Sequence, residues 1–233
     1  MIKLKDFLII LLSICLMTFL FSYLQYRDTA TEYKTWIGTA WVLNKNGYLV
    51  TADHAVKRAK VLNIFYKGRF YNAYVIARDS SNDIAIIKIF TLDFTSIPVS
   101  LQQNNTQNIA ILGFGDPDHY GYKMHMFTGT ATLGVFKSSI FTHSLGCHGD
   151  SGGPIINNYG NAVGVFTFLY DDSEVKQDKL CATQGGGAPI QYVIDLAQQN
   201  GIELDRNIDL HYNSFKYWFN YYKDSVLLLY GES

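Results

Sequence analysis

Charge of one sign is missing from this sequence. Its 19 lysines and arginines stand against 20 aspartates and glutamates, and the lysines are scattered without a basic stripe. No nucleic-acid partner is expected from such a surface. Cysteine is nearly absent too: Cys15, Cys147 and Cys181 are the three present, so an exported domain holding the last two can form one disulfide. Closing a loop of about 35 residues would contribute on the order of 3–4 kcal/mol. No internal repeat or low-complexity tract occurs. His119, His125, His143 and His148 lack the spacing of metal ligands, so neither metal nor cofactor is expected. Against these absences, 48% of the residues are hydrophobic and 15% aromatic. That is enough for one globular domain or two closely fused lobes.

One long apolar run is present. Lys3 and Lys5 precede residues 7–24, "FLIILLSICLMTFLFSYL", which carry no charge. As a helix the run is about 27 Å long, close to the hydrocarbon thickness of a bilayer. No A-x-A cleavage pattern follows, which favours a signal anchor over a cleaved signal peptide in residues 1–28. Lysines on its N-terminal side put the rest of the chain outside the cytoplasm, in the periplasm or at the cell surface. The membrane is therefore one expected partner, through this helix.

After a polar linker the pattern becomes short, apolar and turn-punctuated. "WIGTAWVLN" and "YLVTA" flank Asn46-Gly47, a hairpin signal. "KVLNIFY" and "FYNAYVIA" flank "KGR". "DIAIIKIF", "IAILGF", "KMHMFTGTATLGVF", "PIIN" and "NAVGVFTFL" read as further strands. "PIQYVIDLAQQNG" reads as a helix stopped by Gly201. Many short strands at regular spacing predict an all-β sandwich or barrel, and the strand–helix alternation of an α/β protein is missing.

Chemistry is concentrated in "GCHGDSGGPI", residues 146–155. Gly149, Ser151 and Gly153 satisfy G-x-S-x-G, the nucleophile elbow of α/β-hydrolases. An elbow must lead into a helix, yet Ser151 is followed by two glycines, Pro154 and a β-hairpin, so that reading fails. A serine hydroxyl needs an adjacent base, and the base an orienting carboxylate. Upstream, "TADHAV" offers His54 at a strand end, and "NDIAII" offers Asp83 at a strand start.

With "TADHAV", "NDIAII" and "GDSGGP" in that order, the chain resembles the chymotrypsin-like (trypsin-fold) serine proteases, bacterial type. The resemblance implies two six-stranded-type β-barrels, about 34–100 and about 101–200, within a protease domain of residues 34–205. The predicted anchor helix precedes that domain, and a C-terminal helix follows the barrels. It implies His54 as general base and then acid, Asp83 as its orienting partner, and Ser151 as nucleophile. Backbone N–H groups of Gly149 and Ser151 would form the oxyanion hole. Cys147 and Cys181 match the family's disulfide beside the specificity pocket. "VFTFL" would be the edge strand that pairs with an extended substrate, with Thr167 under the triad and Phe168 lining the cleft.

Three departures qualify the resemblance. No "IVGG"-like activation sequence appears, so Asp150 needs another partner than a free N-terminus. Leu145 stands at the pocket floor where a trypsin would carry an acid; with Leu169 on a wall, an apolar, small side chain is expected in place of Lys or Arg. His148, beside Gly149, is a candidate substrate contact. The resulting expectation is a serine endopeptidase acting on protein or peptide substrates. An inactive homologue that binds through the cleft and a serine esterase are the alternatives. The aromatic tail, residues 206–233, has Phe215, Trp218, Phe219 and Tyr222 at helical spacing. It is expected to pack on the second barrel, with membrane-surface contact as the alternative.

Overall fold

Strands that alternate in-and-out usually bury one face; here several bury both, because the chain builds two cores and a third between them. The computed structural model describes residues 16–18, 34–90, 94–101, 106–133, 139–170, 180–205 and 213–233. The first strands are β1 (Thr35–Val42), β2 (Tyr48–Thr51), β3 (Val61–Tyr66), β4 (Arg69–Asn72), β5 (Tyr74–Asp79) and β6 (Ile84–Lys88). Then come β7 (Thr106–Gly113), the one-turn helix α1 (Pro117–Tyr120), β8 (His125–Leu133), β9 (Ile140–His143) and β10 (Gly146–Cys147). The chain continues through β11 (Pro154–Asn157), β12 (Ala162–Leu169), β13 (Cys181–Ala182), β14 (Gly185–Pro189) and α2 (Ile190–Gln199). It finishes with α3 (Phe215–Tyr221) and β15 (Val226–Glu232).

Six strands close into a barrel in the order β11-β12-β14-β9-β8-β7. The first lobe is not a second such barrel. It is a seven-stranded sheet, β4-β3-β15-β1-β2-β6-β5, and the expectation of two six-stranded barrels is corrected accordingly. The cause is β15. Residues 226–232, read from the sequence as part of a tail, enter the middle of the first lobe's sheet. They pair antiparallel with β1 from Thr35↔Glu232 to Trp41↔Val226, and with β3 from Val61↔Glu232 to Phe65↔Leu228.

Period-two alternation explains the apolar runs. On β1, Ala40 and Val42 fill the first lobe's core while Trp41, with Leu43 just past the strand, faces the second lobe. On β15, Leu227 and Leu229 do the first and Val226 and Leu228 the second. On β7, Ile109 and Ile111 fill the barrel interior while Ala110 and Leu112 join Trp41 between the lobes. Helix α2 adds Ile190, Val193, Ile194 and Ala197 to that shared core. Each Val, Leu or Ile among them contributes roughly 1.5–3 kcal/mol by leaving water, so a continuous apolar core holds the lobes together. Helix α3 packs on the β11–β12 hairpin of the barrel. Trp218 Nε1–H donates to Asn158 O (2.8 Å) and Tyr222 O–H donates to Gly160 O (2.8 Å).

Among the described residues no helix is long and apolar enough to cross a membrane. The predicted anchor, residues 7–24, lies outside the described residues apart from 16–18.

Candidate active site

The turn after β2 carries His54, and the turn before β6 carries Asp83. These two strands are paired in register, Thr51↔Ala85, which brings residues distant in sequence to one sheet end. Asp79 shapes the second turn by accepting hydrogen bonds from Ser81 N (3.0 Å) and Asn82 N (3.1 Å). Asp83 itself adopts a left-handed conformation, φ 54, and so turns its carboxyl back toward β2. There Asp83 Oδ1 accepts from His54 N (2.8 Å), and His54 Nδ1–H donates to Asp83 Oδ2 (2.7 Å). An ionised carboxylate only accepts, so the bond to Asp83 puts a proton on Nδ1, and in the neutral ring Nε2 then carries the lone pair. Among the described residues, both hydrogen bonds of His54 go to Asp83.

Beneath that turn lies Asp53, 3% exposed. It accepts from Arg78 Nε–H and from Arg78 Nη2–H (3.1 Å). Burial pushes the Asp53 carboxyl up, but hydrogen bonds from Arg78 and Ser80, with the charges of Arg78 and Lys57, outweigh it and hold it below its ordinary value.

Ser151 arrives from the second lobe, in the loop before β11. Its carbonyl accepts from Thr39 N (2.9 Å) on β1. A Cβ at Gly38 would touch both Ser151 O and Ala55 Cβ at 3.5 Å, so this loop abuts the turn that carries His54. Thr39 is fully buried and joins the lobes through its hydroxyl, which donates to Gly149 O (2.8 Å) and accepts from Phe114 N (3.1 Å). Gly149 has φ 103, and a side chain there would lie 3.0 Å from Gly115 Cα and 3.3 Å from Ile37 Cδ1. Only glycine fits both the conformation and the gap.

Within this loop the N–H groups divide into two sets. Asp150 N donates to Cys147 O (3.0 Å), Gly152 N to Phe166 O (2.7 Å) and Gly153 N to Asp150 O (2.8 Å). Among the described residues, the N–H groups of Gly149 and Ser151 have no protein acceptor. These are the two groups the sequence nominates to face an oxyanion.

The sequence leaves the partner of Asp150 open, and the structure supplies it. The carboxylate is fully buried. It accepts from Gly115 N (2.8 Å), Cys147 N (2.8 Å) and His125 Nε2–H (2.8 Å). His125 was legible only as a histidine without metal-ligand spacing; nothing local ties it to residue 150.

Cys147 and Cys181 face each other in the β10–β13 pair and form a disulfide. Strand β12 is paired on both sides up to Phe166, whose N–H and C=O bond Gly153 and Gly152. Beyond it, 167–169 keep β14 on one side and have no strand on the other among the described residues. The predicted substrate edge is therefore 167–169, shorter than "VFTFL". Thr167 is buried, Phe168 and Leu169 are half-buried, Leu145 is half-buried and His148 is exposed. Phe166 went unnoticed in the sequence. It is 1% exposed, and its ring lies against Gly146 and 2.9 Å from the Cβ position of Gly185, in the cluster that Leu169 packs against.

The profile of the trypsin-like peptidase domain matches residues 38–165. Serine endoprotease DegS of Salmonella typhimurium is 25% identical over 145 residues, covering 59% of this chain and 41% of DegS. A probable periplasmic serine endoprotease, DegP-like, of Chlamydia muridarum is 31% identical over 153 residues, covering 58% of this chain and 29% of its own. The chain thus spans less than half the length of these curated relatives. Among solved structures, the serine endoprotease from Yersinia pestis superposes with a TM-score of 0.58 at 18% identity, over 70% of this chain and 57% of that one. The HtrA-type protease AlgW with decapeptide gives 0.58 at 21% identity, over 70% and 51%. Both share the fold.

Proposed function

This chain belongs to the trypsin-like peptidase domain family, and on that premise we propose that it is a serine endopeptidase working through His54, Asp83 and Ser151. The observation that carries the reading is the His54–Asp83 pair, 2.7 Å apart, set against a Ser151 loop with two unengaged N–H groups. In the proposed reaction Ser151 Oγ attacks the scissile carbonyl carbon as its proton passes to His54 Nε2. The oxygen takes the electron pair and is met by the N–H groups of Gly149 and Ser151. The C–N bond then breaks, with His54 returning its proton to the leaving amine, and water repeats the sequence on the acyl-enzyme. Asp83 holds the tautomer and stabilises the imidazolium.

The cleft supports a preference for small apolar side chains on the acyl side. Leu145 and Leu169 supply no negative charge, and a Cβ at Gly146 would already meet the Phe166 ring and Leu169 Cδ2. A substrate strand would add to the open edge at 167–169. The disulfide supports an oxidising compartment, in line with the extracytoplasmic placement read from Lys3, Lys5 and the apolar run. Residues 7–24 would tether the domain, and alkaline carbonate extraction of the full chain tests this: release into the soluble fraction rejects the tether.

Digestion of an unstructured protein by wild type and Ser151→Ala tests the mechanism. The variant is expected to lose on the order of 10⁴–10⁶ in kcat, and equal cleavage by both would reject it. Labelling by a fluorophosphonate separates an activated serine from an inactive binding homologue; parallel peptide and ester substrates separate a peptidase from an esterase.

A further inference from the structure

We infer that His125 is a positioning residue for the oxyanion-forming loop, its Nε2–H holding the Asp150 carboxylate so that the flanking N–H groups stay turned to the reaction. The inference rests on the serine endopeptidase reading above. Asp150 stands between Gly149 and Ser151, the two residues whose N–H groups are unengaged. Its side chain runs the opposite way, into the second lobe, and is fully buried. A carboxylate in that position must be met by donors. Gly115 N and Cys147 N provide two, and His125 is the side-chain donor among the described residues.

The surroundings are shaped for this contact. His125 sits opposite Gly113 in the β7–β8 ladder. A Cβ at Gly113 would overlap the Asp150 carboxyl, and one at Gly115 would stand 2.7 Å from Oδ2. The two glycines therefore form the slot the carboxylate fills, and His125 closes its end. The ring is held between Tyr120 and Phe127, with centroids at 4.6 and 4.7 Å, and its side chain is 10% exposed. Its other nitrogen, Nδ1, is buried without a partner among the described residues. The ring is thus committed to one bond. Remove that donor and the carboxylate loses one of the two contacts on Oδ1. The turn 149–151 keeps its bonds to Thr39 and Cys147, but the side chain between its two N–H groups is less firmly anchored and their aim loosens. The edge 167–169 belongs to β12 and would not move. The loss should fall on the chemical step and spare substrate binding.

His125→Met and His125→Gln make the test in the full chain, being of similar length without and with an N–H donor. With a cleavable peptide, His125→Met should lower kcat by about 10²-fold, the order seen for a lost oxyanion donor, with KM within about threefold. Affinity for a peptide boronate, whose tetrahedral adduct places an oxygen at the same N–H groups, should fall in parallel with kcat/KM. His125→Gln should recover at least tenfold in kcat. Should His125→Met fail to fold by circular dichroism, His125→Phe keeps the ring without the donor and takes its place. Unchanged kcat in the donorless variant, a loss confined to KM, or a folded His125→Gln no better than the donorless variant would each overturn the inference. Wild type that a fluorophosphonate does not label would overturn the peptidase reading itself; labelled wild type beside an unaffected variant overturns only the role of His125.

Discussion

At Thr39 a single hydroxyl is shared between lobes, donating to Gly149 O and accepting from Phe114 N in a fully buried setting. Thr39→Val keeps the shape and strands both partners, which should cost about 1–3 kcal/mol in a urea titration. It should also slow catalysis, because Gly149 is the residue released. Asp53 makes a pH-dependent contribution. Its folded-state carboxyl lies below the ordinary 3.8, so the stability it provides is complete above the unfolded value and is lost as pH falls through the folded one. The melting-temperature gap between wild type and Asp53→Asn should be widest near pH 6 and shrink below about pH 4. A gap that stays constant through the acid range would remove Arg78–Asp53 as its source. At this scale the sequence was legible where chemistry is local. "TADHAV" and "GDSGGP" carry their residues in one short stretch, whereas Thr39 meets Gly149 across 110 positions and His125 meets Asp150 across 25. No spacing rule marks such pairs.

The β10–β13 pair is two residues long on each side, too short to hold by ladder bonds alone. The Cys147–Cys181 bond therefore holds the β10–β13 pair together as well as closing its loop. Reduction, or Cys147→Ala with Cys181→Ala, should lower stability by about 2–5 kcal/mol in thermal or chemical denaturation. Unchanged stability would mean the β10–β13 pair is held by packing. Among strands, those rich in Val and Ile were readable. The Gly185–Pro189 strand was not, because "GGGAP" has no β-propensity. It is a strand because its neighbours demand bare backbone: a Cβ on Gly186 would stand 2.6 Å from the Phe168 ring and overlap Ile140 O. Tertiary packing decided that element, and the sequence around it could not.

Across the whole molecule, the first lobe is assembled from both ends of residues 35–233. From the sequence, residues 226–232 read only as the end of the aromatic tail, and their place between β1 and β3 depends on a topology that reading along the chain does not reveal. A chain stopped after Asp224 would separate β3 and β4 from β1, β2, β5 and β6, and is expected to give no cooperative melting transition. A synthetic peptide of residues 225–233 added during refolding should restore fluorophosphonate labelling of Ser151. Full activity of the shortened chain without the peptide would show that β15 is dispensable.

The same placement has a consequence in time. Residues 226–232 leave the ribosome about 150 residues after Asp83, which at ordinary synthesis rates is a delay of roughly 10–30 s. During that interval the sheet that aligns the imidazole with its carboxylate is missing a central member. On the proposed peptidase reading, a growing polypeptide of this kind is expected to stay inert toward itself and its neighbours until β15 is in place.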